Sequence, residues 1–314
     1  MRIVFFGTPS FALASLQILI DQPEFEVVGV VSQPDRPQGR GRKLVATPVK
    51  LLAEAHGIPI CQPERLRKSP ETLQQLGDWR ADVFVVVAYG QILSQQVLDM
   101  PHLGCVNVHG SLLPAYRGAA PIQWAIAQGE TRTGITTMLM DAGMDTGAML
   151  LKAEVEIGSE QTGAELAEVL ADLGARLLVD TLRQWGSLTP IPQDEQLASY
   201  APLLKPKDFE LDWQRSAQTL HNQIRAFSPD CFTTLQGERL KIIRSHCGQS
   251  PLMSPHPSLP VGSIVQLVKN QGFRVQTGSH PLLITEVQPA NKKAQSAWDF
   301  VNGSRLQVGQ ILGV

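Results

Sequence analysis

The amino-acid sequence predicts an α/β protein with a mostly parallel sheet, followed by a smaller all-β domain. Two patterns support this. In the first 185 residues, short apolar runs alternate with segments of helical spacing, a pattern typical of parallel sheets covered on both faces. Beyond residue 227 the pattern changes to short strand-like runs at near-regular spacing, typical of a small barrel or sandwich. The length of 314 residues accommodates two domains.

The first strand is predicted at residues 3–6 and ends in a Gly-Thr-Pro-Ser turn that favours a following helix. Each later apolar run is flanked by polar or glycine residues. Further strands are predicted at 27–31, 83–87, 105–109 and 136–140, and helices at 11–20, 49–56, 163–185 and 213–227. In such sheets, ligands bind outside the carboxyl ends of the strands.

A proline-punctuated stretch separates the two parts of the chain. The predicted bounds are 1–188 for the first domain, 189–204 for a linker and 205–314 for the second domain. The second domain is expected to contain strands at 232–235, 239–243, 262–268, 272–277 and 281–287.

Composition excludes several classes of protein. Lys and Arg total 27 against 29 Asp and Glu, so the chain is not a protein that coats nucleic acid through its net charge. Contact with nucleic acid through a local basic loop remains compatible with this composition. The four cysteines lack zinc-site spacing, and so few are unlike a disulfide framework. The longest apolar run, 83–88, is too short to cross a bilayer, and no signal-peptide pattern begins the chain. We expect a cytoplasmic protein with no membrane partner.

The densest polar cluster follows the fourth predicted strand. Asn107 and His109 lie two residues apart and project to one face of that strand. Asp145 follows the fifth strand in a glycine-flanked loop. An amide, an imidazole and a carboxylate together offer an oxyanion donor, a proton donor and a proton acceptor. The alternatives are a hydrogen-bonded core histidine and an Asp that only stabilises its own turn.

The residues around this cluster resemble the 10-formyltetrahydrofolate-dependent formyltransferases. The resemblance depends on VNVHGSLLPAYRG at 106–118 and DTG at 145–147, and it extends over nearly the whole chain. Segments 33–44, 119–123 and 288–294 are similar to the branch of this family that formylates methionyl-tRNA. The resemblance implies a Rossmann-like first domain and a small OB-like C-terminal barrel that binds tRNA.

The same resemblance implies roles for individual residues. Asn107, His109 and Asp145 are expected to be catalytic, and 10-formyltetrahydrofolate to be the formyl donor, without a metal. The residues expected to line the folate site are Ser111, Leu112, Leu113, Pro114, Tyr89, Gly90 and Ile92. The alternative for residues 111–114 is a plain turn at the end of a strand, and the alternative for residues 89–92 is ordinary loop packing. The chain has no G-x-S-x-G elbow around Ser111 and no G-x-G-x-x-G, so neither a covalent serine intermediate nor NAD is expected.

A basic, glycine-containing loop lies between the second strand and the second helix. Its cations are Arg36, Arg40, Arg42 and Lys43. Composition alone favours a solvated loop, whereas the resemblance implies a loop that binds the acceptor end of initiator methionyl-tRNA. Guanidinium groups suit base edges and phosphates, and glycines allow close approach of the backbone. Arg40 is the foremost candidate for a base contact and Lys43 for a phosphate contact.

Two other functions remain open. The first is formyl transfer to a small amine, of the glycinamide ribotide or amino-sugar type, and the second is a non-catalytic relative that binds RNA or folate. The basic loop and the second domain favour tRNA as the acceptor, and the presence of all three polar residues favours an active enzyme. A monomer is expected.

Overall fold

The computed structural model describes residues 1–38, 43–248 and 259–313. The chain forms two compact units. The first comprises Met1–Pro121, Thr133–Val155 and Ala167–Pro202, and the second comprises Ile122–Arg132, Glu156–Leu166 and the chain from Leu203 onward. Residues 189–202 of the predicted linker at 189–204 thus lie in the first unit. The predicted domain bounds stay a prediction.

Seven strands form the sheet of the first unit: β1 (Arg2–Gly7), β2 (Glu26–Val31), β5 (Ile60–Cys61), β6 (Val83–Val87), β7 (Cys105–His109), β8 (Arg132–Leu139) and β9 (Met149–Glu156). Their order in the sheet is β5-β2-β1-β6-β7-β8-β9. The first five pair in parallel, and β8 runs antiparallel to β7. A separate hairpin consists of β3 (Arg36–Gln38) and β4 (Lys43–Val45).

The central strands of this sheet are buried on both faces. Every residue of β6 is buried, as are residues 3–7 of β1. Phe6 and Phe84 pack with ring centroids 5.2 Å apart. Burial on both faces explains why these strands are continuous apolar runs, and it leaves the strand ends as the positions for polar side chains.

The helices in chain order are α1 (Leu13–Asp21), α2 (Pro48–Ala55), α3 (Pro70–Asp78), α4 (Gln95–Leu98), α5 (Pro121–Ala127), α6 (Gly163–Arg183), α7 (Ala217–Phe227) and α8 (Ala297–Ser304). In the described ranges, none of these helices combines the length and apolarity needed to cross a membrane.

The second unit contains an antiparallel sheet that curls into a half-barrel. Its strands are β10 (Phe232–Leu235), β11 (Glu238–His246), β12 (Ile264–Val268), β13 (Gly272–Val275), β14 (Leu282–Pro289) and β15 (Gln295–Ser296). The order is β10-β11-β14-β13-β12, with β15 on β14. Near the end of the chain, Leu312 bridges to Leu235 and Ile311 bridges to Ser263, so one segment contacts both edges of the sheet. The predicted fold class is confirmed.

One helix prediction begins too early. The predicted helix 213–227 starts at Ala217, because the Ser216 hydroxyl accepts a hydrogen bond from the Thr219 amide and acts as the N-cap. Trp213 lies before this cap, where its ring donates to the Thr233 hydroxyl at 3.0 Å. An apolar residue that packs on a strand was therefore counted as part of the helical pattern.

Candidate active site

The candidate site lies at the carboxyl end of β7. Asn107 and His109 occupy alternate positions of this strand, so they share a face. His109 is buried and Asn107 is half-buried. The strand pairs with β6 on one side and β8 on the other, and this pairing fixes the direction of both side chains.

Asp145 meets both side chains from the loop between β8 and β9. Its Oδ1 accepts a hydrogen bond from Asn107 Nδ2 at 3.3 Å, and its Oδ2 lies 3.6 Å from His109 Nδ1. The amide of Gly118 donates to the same Oδ2 at 2.8 Å. The structure therefore brings together the three residues that the sequence predicts as catalytic.

The opposite nitrogen of the imidazole also faces an oxygen. His109 Nε2 lies 3.0 Å from the carbonyl oxygen of Tyr116. Nε2 is thus within hydrogen-bond distance of an oxygen, whereas Nδ1 faces the Asp145 carboxylate at a longer, ion-pair distance. The ring is held between the Asp145 carboxylate and this carbonyl.

Two of the residues that contact His109 have left-handed backbones. Tyr116 has φ of 60° and Asp145 has φ of 55°. Residues other than glycine adopt this region infrequently, and such conformations cluster where the surrounding structure enforces them, often at functional sites. Here the local conformation directs the Tyr116 carbonyl and the Asp145 side chain toward one imidazole.

The 111–114 segment is anchored through its backbone. The Leu113 amide donates to the Thr136 hydroxyl, which donates to the Ser111 carbonyl at 2.7 Å. Lys152 Nζ donates to the Leu113 carbonyl, and partial burial lowers the pKa of this ammonium. Ser111 and Leu113 are buried, whereas Leu112 and Pro114 are half-buried. Only the second pair has substantial surface available to a ligand, and the folate-lining role of the segment stays a prediction.

The 88–93 segment follows β6, the neighbour of β7. Ile92 is 81% exposed and Gly90 is exposed, but the Tyr89 side chain is buried and packs edge-on against Phe6. The Tyr89 hydroxyl has no hydrogen-bond partner among the described residues, and burial raises the pKa of this phenol. Tyr89 thus differs from Gly90 and Ile92, with which it was predicted to line the folate site: its ring belongs to the core.

The hairpin β3–β4 carries the basic loop. Arg40 and Arg42 lie outside the described residues. Lys43 is exposed at the start of β4. The Arg36 guanidinium is not free, because it forms a two-point ion pair with Glu64, with its shorter bond at 2.8 Å.

The base of the hairpin is held by a second ion pair. Lys50 Nζ lies 2.6 Å from Asp35 Oδ2, and Gln62 donates to Asp35 Oδ1 at 2.7 Å. The Lys50 hydrogen bond, followed by that of Gln62, lowers the pKa of the Asp35 carboxyl. These contacts attach the hairpin to α2 and to the residues after β5.

Segment 191–201, which we call the strap, contains site residues that sequence reasoning missed. Arg117 Nε donates to Gln193 Oε1 at 2.9 Å, and its terminal nitrogens form a two-point ion pair with Glu195 at 2.8 and 2.9 Å. The Glu195 hydrogen bond raises the pKa of the guanidinium, and that of Arg117 lowers the pKa of the Glu195 carboxyl. The only sequence signal was an arginine inside the 106–118 motif with no partner nearby in the chain.

The strap also pairs with the backbone on either side of Arg117. The Arg117 amide donates to the Ser199 carbonyl at 2.8 Å, and its carbonyl accepts from the Ala201 amide at 2.7 Å. A side chain at Gly118, where φ is 122°, would come within 2.7 Å of the Ala201 carbonyl oxygen. The strap and the 116–118 loop are therefore in close backbone contact.

Within the described ranges, no cluster of three or more His, Cys, Asp or Glu side chains is arranged to hold a metal ion. The arrangement at β7 instead presents an amide donor, an imidazole and a carboxylate. This set suits an enzyme that stabilises an oxyanion and moves a proton.

Comparison with known proteins agrees with this chemistry. Residues 1–182 match the family model for formyl transferases, and residues 203–305 match the model for the formyl transferase C-terminal domain. The chain therefore belongs to the formyl transferase family, as the motif at 106–118 predicted.

Relatives of known function resemble the chain along its whole length. A methionyl-tRNA formyltransferase of Synechococcus sp. (strain JA-2-3B'a(2-13)) is 65% identical, with 98% of this chain and 97% of that protein covered. The methionyl-tRNA formyltransferase of Trichodesmium erythraeum (strain IMS101) is 52% identical, with 99% and 98% covered.

Solved structures show the same fold. An N-formyltransferase from Helicobacter canadensis, in complex with folinic acid and dTDP-3-aminofucose, superposes with a TM-score of 0.68 at 16% identity, covering 92% of this chain and 99% of that one. A phosphoribosylglycinamide formyltransferase from Bacillus halodurans has a TM-score of 0.51 at 27% identity, covering 60% and 96%.

Proposed function

We propose that this protein transfers the formyl group of 10-formyltetrahydrofolate to the α-amino group of methionine on initiator methionyl-tRNA. The observation that carries the proposal is the contact of one carboxylate, Asp145, with both Asn107 and His109 at the end of β7. The acceptor is inferred from methionyl-tRNA formyltransferases that are 65% and 52% identical and match both domains.

The proposed roles follow from the chemistry of acyl transfer. Attack of an amine on a formyl carbon produces a tetrahedral centre with a negative oxygen, and fixed donors stabilise such charge. The Asn107 amide is a donor that carries no charge of its own to desolvate. His109 would donate to the same oxygen or protonate the departing folate nitrogen. Asp145 orients both and would accept, directly or through water, the proton of the attacking amine.

A folate-type donor is supported by the positions of two loops. The 88–93 and 110–118 segments follow β6 and β7, which are parallel neighbours, so both begin at the same edge of the sheet. Exposed Ile92 and half-buried Leu112 and Pro114 offer apolar surface to a flat ring. Structural relatives were solved with folinic acid and with tetrahydrofolic acid.

A tRNA acceptor is supported by the hairpin β3–β4. Lys43 is exposed on it, and the sequence places Arg40 and Arg42 between its two strands. These cations suit a phosphate backbone and base edges. We propose that Arg36, held by Glu64, orients the base of the hairpin and that the other three cations contact the acceptor stem.

The test is a formylation assay with the full-length protein. It compares 10-formyltetrahydrofolate with initiator methionyl-tRNA, with elongator methionyl-tRNA, and with small amines of the glycinamide ribotide and amino-sugar types. We expect N-formylmethionine on initiator tRNA and a much slower reaction with the other acceptors. Faster formylation of a small amine, or the absence of any product, would overturn the proposal.

A further inference from the structure

We propose that Gln193, on the strap, is a positioning residue that sets the geometry of Asp145 against His109. The inference deepens the proposed function and rests on it for the role of that pair. Gln193 is distant in sequence from both residues, and its three side-chain hydrogen bonds go to neither the Asp145 carboxylate nor the His109 ring. It acts through the backbone of the 145–147 loop and through the Arg117 side chain.

Three of the four hydrogen-bonding positions of the Gln193 amide are in use, including both N–H donors. Its Nε2 donates to the carbonyl oxygens of Asp145 at 2.7 Å and Gly147 at 2.8 Å, and its Oε1 accepts from Arg117 Nε at 2.9 Å. A reversed amide would place oxygen against two carbonyl oxygens and NH₂ against a guanidinium. The network therefore permits a single orientation of this side chain.

The two segments that Gln193 joins are those that fix the catalytic pair. On either side of Arg117, the Tyr116 carbonyl faces His109 Nε2 and the Gly118 amide donates to Asp145 Oδ2. The Arg117 side chain has no exposed surface, and Glu195 holds its far end. One amide thus connects the backbone that contacts the imidazole with the loop that carries the carboxylate.

Loss of this amide would release the loop at a strained position. Asp145 has a left-handed backbone, which persists only where surrounding contacts enforce it. Without Gln193, the Asp145 and Gly147 carbonyls lose their shared donor. The carboxylate, which Gly118 and Asn107 still contact, then shifts relative to the ring because its backbone is no longer held. Small misplacements of catalytic groups lower rates by large factors.

The test compares Gln193→Ala and Gln193→Glu with Gln196→Ala, a matched control on an exposed strap residue. Gln193→Glu keeps the length and the Arg117 contact but removes both donations to the loop. In both Gln193 variants we expect kcat to fall about 10- to 100-fold. We expect KM for folate and for tRNA to stay within about twofold, and the ¹⁵N resonances of the His109 ring to shift. Gln196→Ala should match the wild type.

The outcomes separate this inference from the proposed function. A kcat near that of the wild type, a change confined to KM, or an unchanged His109 signal would overturn the positioning role. If Gln193→Ala also lowers the melting temperature substantially, the result for Gln193→Glu, which keeps the Arg117 contact, decides whether Gln193 is a positioning residue. If the wild type itself does not formylate methionyl-tRNA, the proposed function fails, and the His109 signal, which requires no substrate, still decides whether Gln193 positions the pair.

Discussion

Two arginine–glutamate pairs in this protein have similar geometry and different surroundings. Arg117–Glu195 and Arg36–Glu64 are both two-point pairs with a shortest distance of 2.8 Å. The glutamates are similarly exposed, at 69% and 70%, but the Arg117 side chain is 0% exposed and that of Arg36 is 57% exposed. A charge without contact with water depends on its partners, whereas an exposed one is solvated in any case.

The regions that contain these two pairs differ in the same way, one being fixed around a buried arginine and the other exposed. Around Arg117, polar groups of the 116–118 loop, the 145–147 loop and the strap satisfy one another, and the result is a defined arrangement around His109. At the hairpin, ion pairs hold the base, and Lys43, one of the cations proposed to bind tRNA, is exposed. One region suits chemistry, which requires fixed geometry, and the other suits recognition of a large charged partner.

The largest effect is expected at Asn107 and His109, two of the proposed catalytic residues. Asn107→Ala and His109→Ala should each lower turnover by about 10²-fold or more, because each removes a preorganised donor. Single-turnover formylation of methionyl-tRNA measures this. His102→Ala, at an exposed histidine, is the matched control and should be neutral. Near-normal turnover in either site variant would remove that residue from the mechanism.

The next effect sharpens the contrast between chemistry and recognition. Arg40→Ala should lower kcat/KM for methionyl-tRNA by about 10-fold through loss of a base or phosphate contact. Folate binding, measured by titration, should be unchanged. Arg176→Ala, at an exposed arginine of α6, provides the control. If folate affinity fell and use of tRNA did not, the hairpin would belong to the donor site instead.

A smaller effect concerns pH and the buried arginine. Arg117 keeps the pKa of the Glu195 carboxyl below its usual value, so this pair stabilises the fold above the ordinary Glu range and ceases to do so as the pH falls. From about pH 5 downward, the wild type should lose stability more steeply than Glu195→Gln. Melting temperatures of both proteins across this range test it. Parallel curves would show that the pair contributes nothing to the pH dependence.

The smallest effect is expected at the exposed pair. Arg36→Ala and Glu64→Gln should each change the free energy of unfolding by less than about 1 kcal/mol, as is usual for surface ion pairs. Urea denaturation at low and high salt measures it, and added salt should reduce the difference further. A larger loss of unfolding free energy that does not depend on salt would mean that solvent exposure does not distinguish Arg36–Glu64 from Arg117–Glu195.

Much of the fold followed from local patterns. The apolar run at 83–87 predicted β6 with correct bounds, because a strand buried on both faces must be apolar throughout. The cluster at β7 was also predicted, since alternation along a strand places Asn107 and His109 on one face. The family resemblance carried by the 106–118 motif is confirmed by both family models.

Other features had no local signal. Tyr89 was grouped with its exposed neighbours, but the chain turns after β6, where Ala88 has φ of 48°, and the Tyr89 ring packs against Phe6. Gln193 was assigned to a linker because its stretch is polar and rich in proline. Its partners, Arg117 and the Asp145 loop, lie 76 and 48 residues away in the chain.

The sequence by itself determined the buried central strands of the first sheet, the polar groups at the end of β7, and the family to which the chain belongs, because those properties depend on neighbours in the chain. Only the tertiary structure decided which arginine is buried, which tyrosine is core, and that the strap holds the 145–147 loop beside His109. Burial and hydrogen-bond partnership depend on residues that meet only when distant segments pack together.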